Sequence, residues 1–171
     1  MSVVFAAKAT SVDGYITGPD PSPSQALGRG GGVLFDWYGN GDTPSSQFPG
    51  FRLSAASAEV FDATAAPLFV LSHRSAPAGA GRQTFVATGI ADAIAAAREA
   101  AGDRDVALMG SGVIRAALDA GLLDEVIIHQ VPILLGGGTP LFQPANKPVP
   151  LQLRAVVPAP GVTHLHYEIH A

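Results

Sequence analysis

The chain has 171 residues, of which 47% are apolar and 14% charged, and its formal net charge is −4. This length predicts a single domain with a sizeable core over residues 1–171, because the chain is too short for two domains of ordinary size. No apolar run reaches the roughly 20 residues that span a membrane, and no basic block suits nucleic-acid phosphates. The absence of cysteine excludes disulfides and thiolate sites. Because the first residues lack the pattern of a signal peptide, a cytoplasmic location is expected.

The amino-terminal third predicts a strand, a long loop and a helix. The apolar run Val3–Ala9 predicts a strand, which ends before the turn signal Asp13-Gly14. Residues 18–50 are rich in Gly, Pro and Ser and predict a loop that adds little to the core. Loops of that length in compact domains are usually functional or mobile. The pattern at Leu53–Asp62 indicates a helix with Ser54 as its N-cap.

The middle of the chain alternates between strand and helix patterns. The predicted strands are Pro67–Leu71, Thr84–Ala87, Asp105–Met109 and Glu125–Val131, and the helices between them are Gly89–Ala101 and Val113–Ala120. Thr88 is placed to cap the first helix, and Gly102 and Gly121 are placed to end the two helices. This order is typical of parallel βαβ units with helices on the faces of a sheet.

The carboxyl-terminal region predicts two further strands, Leu151–Val157 and Val162–Ile169, joined by Pro160-Gly161. Together the patterns predict an α/β fold, a three-layer sandwich with a mixed, mainly parallel central sheet and a carboxyl-terminal antiparallel hairpin.

Two glycine clusters follow strand ends. Gly110-Ser111-Gly112 stands between a strand and a helix, where free backbone N–H groups and the helix dipole favour an anion. The same pattern is explained equally well by a tight turn. The second cluster, Gly136–Gly138, is placed to lie beside the same ligand, and a flexible turn explains it as well.

Histidine alternates along the last predicted strand. His164, His166 and His170 share one face with Glu168, which suggests metal ligands. An exposed polar strand face explains the alternation better, so no metal site is predicted. His129 stands in an apolar run and is expected to be a core or interface residue.

Four stretches together resemble a known family. They are "SVDGYI" (11–16), "PLFVLSHRSA" (67–76), "GDRDVALMGSGVIRAALDAGLLDEVIIHQVPILLGGGTPLF" (102–142) and "GVTHLHYEI" (161–169). The chain is similar to the dihydrofolate-reductase-like superfamily, and more closely to the reductase (RibD C-terminal) domain of bacterial riboflavin biosynthesis. The resemblance covers most of the chain, in the right order.

The resemblance implies NADPH as the cofactor and hydride transfer to a small heterocyclic (pteridine- or pyrimidine-like) or carbonyl substrate. The implied cofactor-binding residues are Ala9, Ile16, Ser72, His73, Arg74, Gly110, Ser111, Gly112, Val113 and Ile114. The implied substrate-binding residues are Asp36, Trp37, Gly137 and Gly138, and Asp13 is the implied catalytic residue. Each has a plainer alternative: an ordinary turn at Asp13, an apolar cover at Trp37, a solvated loop residue at Arg74.

One departure from the family pattern stands out. Family members usually carry a strand and a helix with a "GRRTY"-like segment just before the "VLSH" strand, whereas here residues 61–66 lead directly into Pro67. A second hypothesis follows, in which the protein is a non-catalytic small-molecule-binding or dimeric scaffold member of this fold. Under either hypothesis a homodimer remains open, and neither nucleic acid nor a membrane is an expected partner.

Overall fold

The computed structural model describes residues 2–45, 50–61, 68–71, 83–142 and 148–170. The strands within these ranges are β1 (Val4–Ser11), β2 (Thr43–Pro44), β3 (Arg52–Leu53), β4 (Leu68–Leu71), β5 (Gln83–Val86), β6 (Val106–Leu108), β7 (Glu125–Val131), β8 (Leu151–Ala159) and β9 (Val162–Ile169). The α-helices are α1 (Ala55–Phe61), α2 (Ile90–Ala101) and α3 (Ser111–Asp119), and residues Gly31–Gly39 form a 3-10 helix.

The central sheet has five strands in the order β6-β1-β7-β9-β8. β1 runs parallel to both of its neighbours, and β9 runs antiparallel to both of its own. The helix α3 carries the chain from β6 across β1 to β7, as expected for a βαβ crossover. The predicted mixed α/β class and the carboxyl-terminal hairpin are therefore confirmed.

Two smaller pairs stand outside this sheet among the described residues: β2 with β3, antiparallel, and β4 with β5, parallel. β6 forms the edge of the five-stranded sheet, and α2 contacts both β4 and β6. In the described ranges no strand joins β4 to β6.

One core lies between the sheet and the two long helices. Val4 and Ala6 of β1 pack with Ile114 and Ala117 of α3, and all four are at most 1% exposed. Ile94 of α2 joins the same cluster, with Ile90 and Ala97 of the same helix packed against it.

A second core lies on the opposite face of the sheet. Leu34 and Trp37 of the 3-10 helix are 0% and 1% exposed and pack with Leu53, Val131 and Val162. The prediction that residues 18–50 add little to the core is therefore wrong, because this segment supplies the cover of one sheet face.

The helix ends follow the sequence signals with one exception. Ser54 caps α1, since its Oγ accepts a hydrogen bond of 3.1 Å from the Ser57 N–H. Gly102 ends α2 with a positive φ of 63°, as predicted. Thr88 does not cap α2, because Gly89 is the N-cap and no side chain bonds there. No helix in the described ranges combines the length and apolarity needed to cross a bilayer.

Candidate functional site

A cleft of about 680 Å³ opens where β1 continues beyond the end of β6. Residues 7–9 of β1 line it, together with Ile16, Met109 and His129. Its position at the carboxyl ends of parallel strands is where open α/β sheets bind small molecules. Ala9 and Ile16, which the family resemblance implied as cofactor-binding residues, both line this cleft.

Aromatic side chains form one side of the cleft. The Tyr38 and Phe51 rings stack with centroids 4.7 Å apart and an angle of 12° between their planes, and Phe35 packs against Tyr38 at 5.5 Å. Burial raises the pKa of Tyr38 to about 12, so its phenol stays neutral. A flat apolar surface with a single hydroxyl suits a planar ring system.

His129 belongs to a buried hydrogen-bonded chain. Its Nδ1 lies 2.7 Å from Nδ1 of His164, whose Nε2 lies 3.1 Å from the Ser57 Oγ. Both imidazoles are 2% exposed and pack against the Trp37 ring. Burial, then repulsion from His164, lowers the pKa of His129 to about 3, and burial lowers the pKa of His164 as well. The pair is therefore neutral at neutral pH.

The remaining histidines of β9 behave differently. His164 is buried, so the expectation of an exposed strand face is wrong there: the 3-10 helix and α1 cover it. His166 pairs instead with Glu125 at 2.7 Å, and His170 with Gln152 at 2.7 Å. Within the described part of the chain, no group of three or more potential ligands is arranged to hold a metal ion.

The first turn of α3 is open. Gly110 has a φ of 91° and serves as the N-cap, and a Cβ added at Gly110 or Gly112 would meet no atom within 4 Å. Ile114 anchors the helix, because its side chain is fully buried. The first N–H groups of a helix have no intrahelical partner. The start of α3 thus offers donors and space to an anion, and these residues fit the pyrophosphate of a dinucleotide.

Asp13 holds two loops together outside the cleft lining. Its carboxylate accepts hydrogen bonds from the Leu135 N–H (3.2 Å) and the Gly136 N–H (2.8 Å). A hydrogen bond with the Ser11 side chain, supported by those backbone donors, lowers the pKa of this exposed carboxyl. The carboxylate is therefore ionised at neutral pH, which suits an acceptor and not a proton donor.

The second glycine cluster packs against the segment that carries Ile16. A Cβ at Gly138 would lie 2.0 Å from the Thr17 carbonyl oxygen, so only glycine allows this approach. The Thr139 N–H donates to Thr17 Oγ1 at 2.8 Å, and the Ile16 N–H donates to the Thr139 oxygen at 2.8 Å. Gly136–Gly138 thereby supports one border of the cleft without lining it.

Other residues named from the sequence lie elsewhere. Asp36 is exposed and Trp37 is buried beneath the cleft, and neither lines it. Ser72, His73 and Arg74 lie outside the described residues. The sequence reasoning missed Lys8, Tyr38 and Phe51, which line the cleft. Lys8 could have been noticed, because it is a charged residue inside the apolar run of β1. Nothing in the local sequence distinguished Tyr38 and Phe51.

Comparison with known proteins places this fold in the dihydrofolate-reductase-like class. Dihydrofolate reductase from Enterococcus faecalis, solved with NADP(H), aligns over 99% of this chain and 97% of its own, with 13% identity and a TM-score of 0.54. The RibD C-terminal domain model matches residues 45–164. Because this match covers more than half of the sequence, the chain belongs to the RibD C-terminal domain family.

Two further solved structures are similar. A protein from Shewanella sp. PV-4 with a provisional assignment to riboflavin biosynthesis shares 25% identity over 99% of both chains, with a TM-score of 0.67. The diaminohydroxyphosphoribosylaminopyrimidine deaminase/5-amino-6-(5-phosphoribosylamino)uracil reductase of Thermotoga maritima shares 13% identity, with a TM-score of 0.59. That match covers 99% of this chain and 57% of the Thermotoga protein, so this chain spans little more than half of it. No curated protein matches the chain significantly.

Proposed function

We propose that the protein is an NADPH-dependent reductase that transfers hydride to a small heterocyclic, pteridine- or pyrimidine-like, or carbonyl substrate. The observation that carries this proposal is the cleft at the end of β6, which is lined by an aromatic surface and by Met109, the residue just before the N-cap of α3; residues 110–114 themselves do not line it. Family membership supports a reductase, and the cofactor supplies the hydride when it is bound.

In this proposal the roles follow from position. The N–H groups of residues 110–113 bind the pyrophosphate, and Ile114, whose N–H already donates to the Gly110 carbonyl oxygen at 3.0 Å, holds that turn in place. Ala9 and Ile16 flank the nicotinamide in the cleft. Ser72, His73 and Arg74 remain proposed contacts to the adenosine and its 2′-phosphate. Tyr38 and Phe51 hold the substrate ring, and the accompanying proton comes from water or from an acid in the cleft.

Several residues named from the sequence take indirect roles. Asp13 keeps the turn at 135–136 against the end of β1, and Gly137 and Gly138 allow that turn to approach the segment after Ile16. Trp37 supports the cleft through its packing on His129. Asp36 is exposed and does not line the cleft, and it remains a proposed substrate contact.

The test of the cofactor site is Gly112→Asp. The added side chain meets open space, and an acidic residue in the first turn of a helix is favourable for folding. It also places a negative charge where the pyrophosphate would lie. We expect NADPH affinity, measured by calorimetry, to fall at least about tenfold, corresponding to about 1.4 kcal/mol, with the melting temperature kept.

Gly112→Asn is the matched control, because it has the same shape without the charge and should bind NADPH far better than Gly112→Asp. Equal affinity of the two variants and the unaltered protein for NADPH would remove the start of α3 from the site. Titration with NADH alongside NADPH shows which dinucleotide the protein prefers.

The second candidate function is that of a binding or scaffold protein without turnover. The arrangement of the described residues favours it, because β4 and β5 stand outside the five-stranded sheet there, and the family resemblance implies an additional segment before β4. Oxidation of NADPH in the presence of a pteridine- or pyrimidine-like acceptor would exclude this alternative.

A further inference from the structure

The charges around the cleft are unequal. Lys8 is the single formally charged residue among the described residues that line it, and no carboxylate lines it. The other titratable lining groups, Tyr38 and His129, are neutral at neutral pH, because burial raises the pKa of Tyr38 and lowers that of His129. The lining is otherwise mainly aliphatic and aromatic. The cleft therefore carries a net positive charge located on one side chain.

Lys8 is half-buried, and within the described ranges it has neither a hydrogen-bond nor an ion-pair partner. A cation that loses water contacts without gaining a counter-charge costs free energy. Burial accordingly lowers the pKa of its ammonium. The other half-buried charged side chains among the described residues are paired, as Arg115 is with Asp119 at 2.6 Å. Lys8 thus carries a cost that nothing in the described fold offsets.

The neighbourhood of Lys8 adds a second positive feature. The pairing of β1 with β6 ends at Ala6 and Leu108. Lys8 and Gly110 each follow two residues after this last pair. Gly110 is the N-cap of α3, whose first turn presents N–H groups and the positive end of the helix dipole. Met109, between β6 and that N-cap, lines the same cleft.

We propose that Lys8 is an anion-binding residue of the cleft and pairs with a phosphoryl group of the bound molecule. The phosphoryl group belongs either to the dinucleotide or to a phosphorylated substrate. Binding by Lys8 offsets the desolvation of its ammonium, and it gives the cleft a preference for phosphorylated over uncharged ligands. A test of Lys8 with NADPH rests on the proposed reductase function, whereas a test with a sugar phosphate does not.

The chain allows a direct test, because its two lysines are Lys8 and Lys147. In a Lys147→Arg background, reductive methylation with ¹³C-formaldehyde labels Lys8 as the single lysine signal, resolved from the α-amine. We expect ribose 5-phosphate to shift the Lys8 signal saturably and to raise the pKa of Lys8, since an anion favours the charged form. Ribose at the same concentration should do neither.

Two substitutions complete the test by calorimetry on unmethylated protein. Lys8→Met keeps the length and loses the charge, and it should weaken binding of the phosphorylated probe about tenfold. Lys8→Arg keeps the charge and should stay within about threefold of the unaltered protein. Lys8→Met removes a half-buried cation, so we expect its thermal stability to be kept or raised.

The outcomes separate the sources of the phosphoryl group. A response to NADPH alone assigns Lys8 to the cofactor, and a response to ribose 5-phosphate assigns it to the substrate. A response to ribose 5-phosphate without any NADPH binding sustains the role of Lys8 and removes the proposed cofactor. An unmoved Lys8 signal with both probes, together with equal affinities of Lys8→Met and unaltered protein, would overturn the proposal.

Discussion

The face of the β7–β9 pair that carries His164 and His166 is covered at one end and open at the other. His164 is 2% exposed and bonds to His129 and Ser57 beneath Trp37. Two residues along the strand, the His166 side chain is 34% exposed and pairs with Glu125. The same residue type at alternating positions is thus a neutral core group at one end and a partly exposed hydrogen-bond partner of a carboxylate at the other. Coverage by distant segments, and not spacing along β9, decides which chemistry each histidine has.

The largest expected effect comes from removing the cover. Trp37→Ala opens the second core and leaves both imidazoles without their aromatic neighbour, so we expect the free energy of unfolding to fall by about 3–5 kcal/mol. Urea unfolding measures this loss. Trp37→Phe keeps a ring over the pair and should lose less than half as much. A loss below about 1 kcal/mol for Trp37→Ala would mean that the 3-10 helix does not stabilise this face.

The two histidines themselves give the next comparison. His164→Ala leaves a cavity and removes hydrogen-bond partners from His129 and Ser57, so we expect a loss of about 2–4 kcal/mol. His166→Ala breaks a partly exposed pair and should cost less than about 1 kcal/mol. Equal losses in urea unfolding would contradict the difference between the covered and open ends.

Elements with strong local patterns were predictable from the sequence. α3 was placed within two residues at each end, because Gly110 precedes it and Gly121 follows it. The hairpin of β8 and β9 followed from two strand-like segments on either side of Pro160-Gly161. In both places the signal lies within a few residues of the structure that it determines.

Features that depend on distant contacts escaped prediction. Leu34 and Trp37 stand in a glycine-rich segment, and their burial results from packing on residues far along the chain, such as Val131 and Val162. His164 was expected on an exposed face because β9 alone does not show what covers it. In the cleft, Ala9 and Ile16 came from the family resemblance, whereas Lys8 becomes significant only when the neutrality of its neighbours is known.

The smallest expected effect concerns pH. In the folded protein the pKa values of both buried imidazoles lie below the ordinary 6.5, with His129 at about 3. Between the folded and unfolded pKa values the unfolded chain binds more protons, so stability rises with pH. The stabilisation is complete above about pH 6.5 and is lost as the pH falls towards the folded values. When the pH falls from ~7.5 to ~5.5, the titration of His129 alone should lower the free energy of unfolding by about 1.4 kcal/mol.

Urea unfolding at several pH values in that range measures how steeply the free energy of unfolding depends on pH. Replacing both members of the pair, His129→Leu with His164→Leu, should flatten this pH dependence. Ring signals of the unaltered protein give a second measurement that does not depend on the double variant folding. We expect His129 and His164 to keep neutral-imidazole shifts at pH ~5.5, where an unperturbed histidine is mostly protonated. Protonated shifts for this pair, or an unchanged slope in a folded double variant, would show that the cover over this end of the sheet does not keep the imidazoles from water.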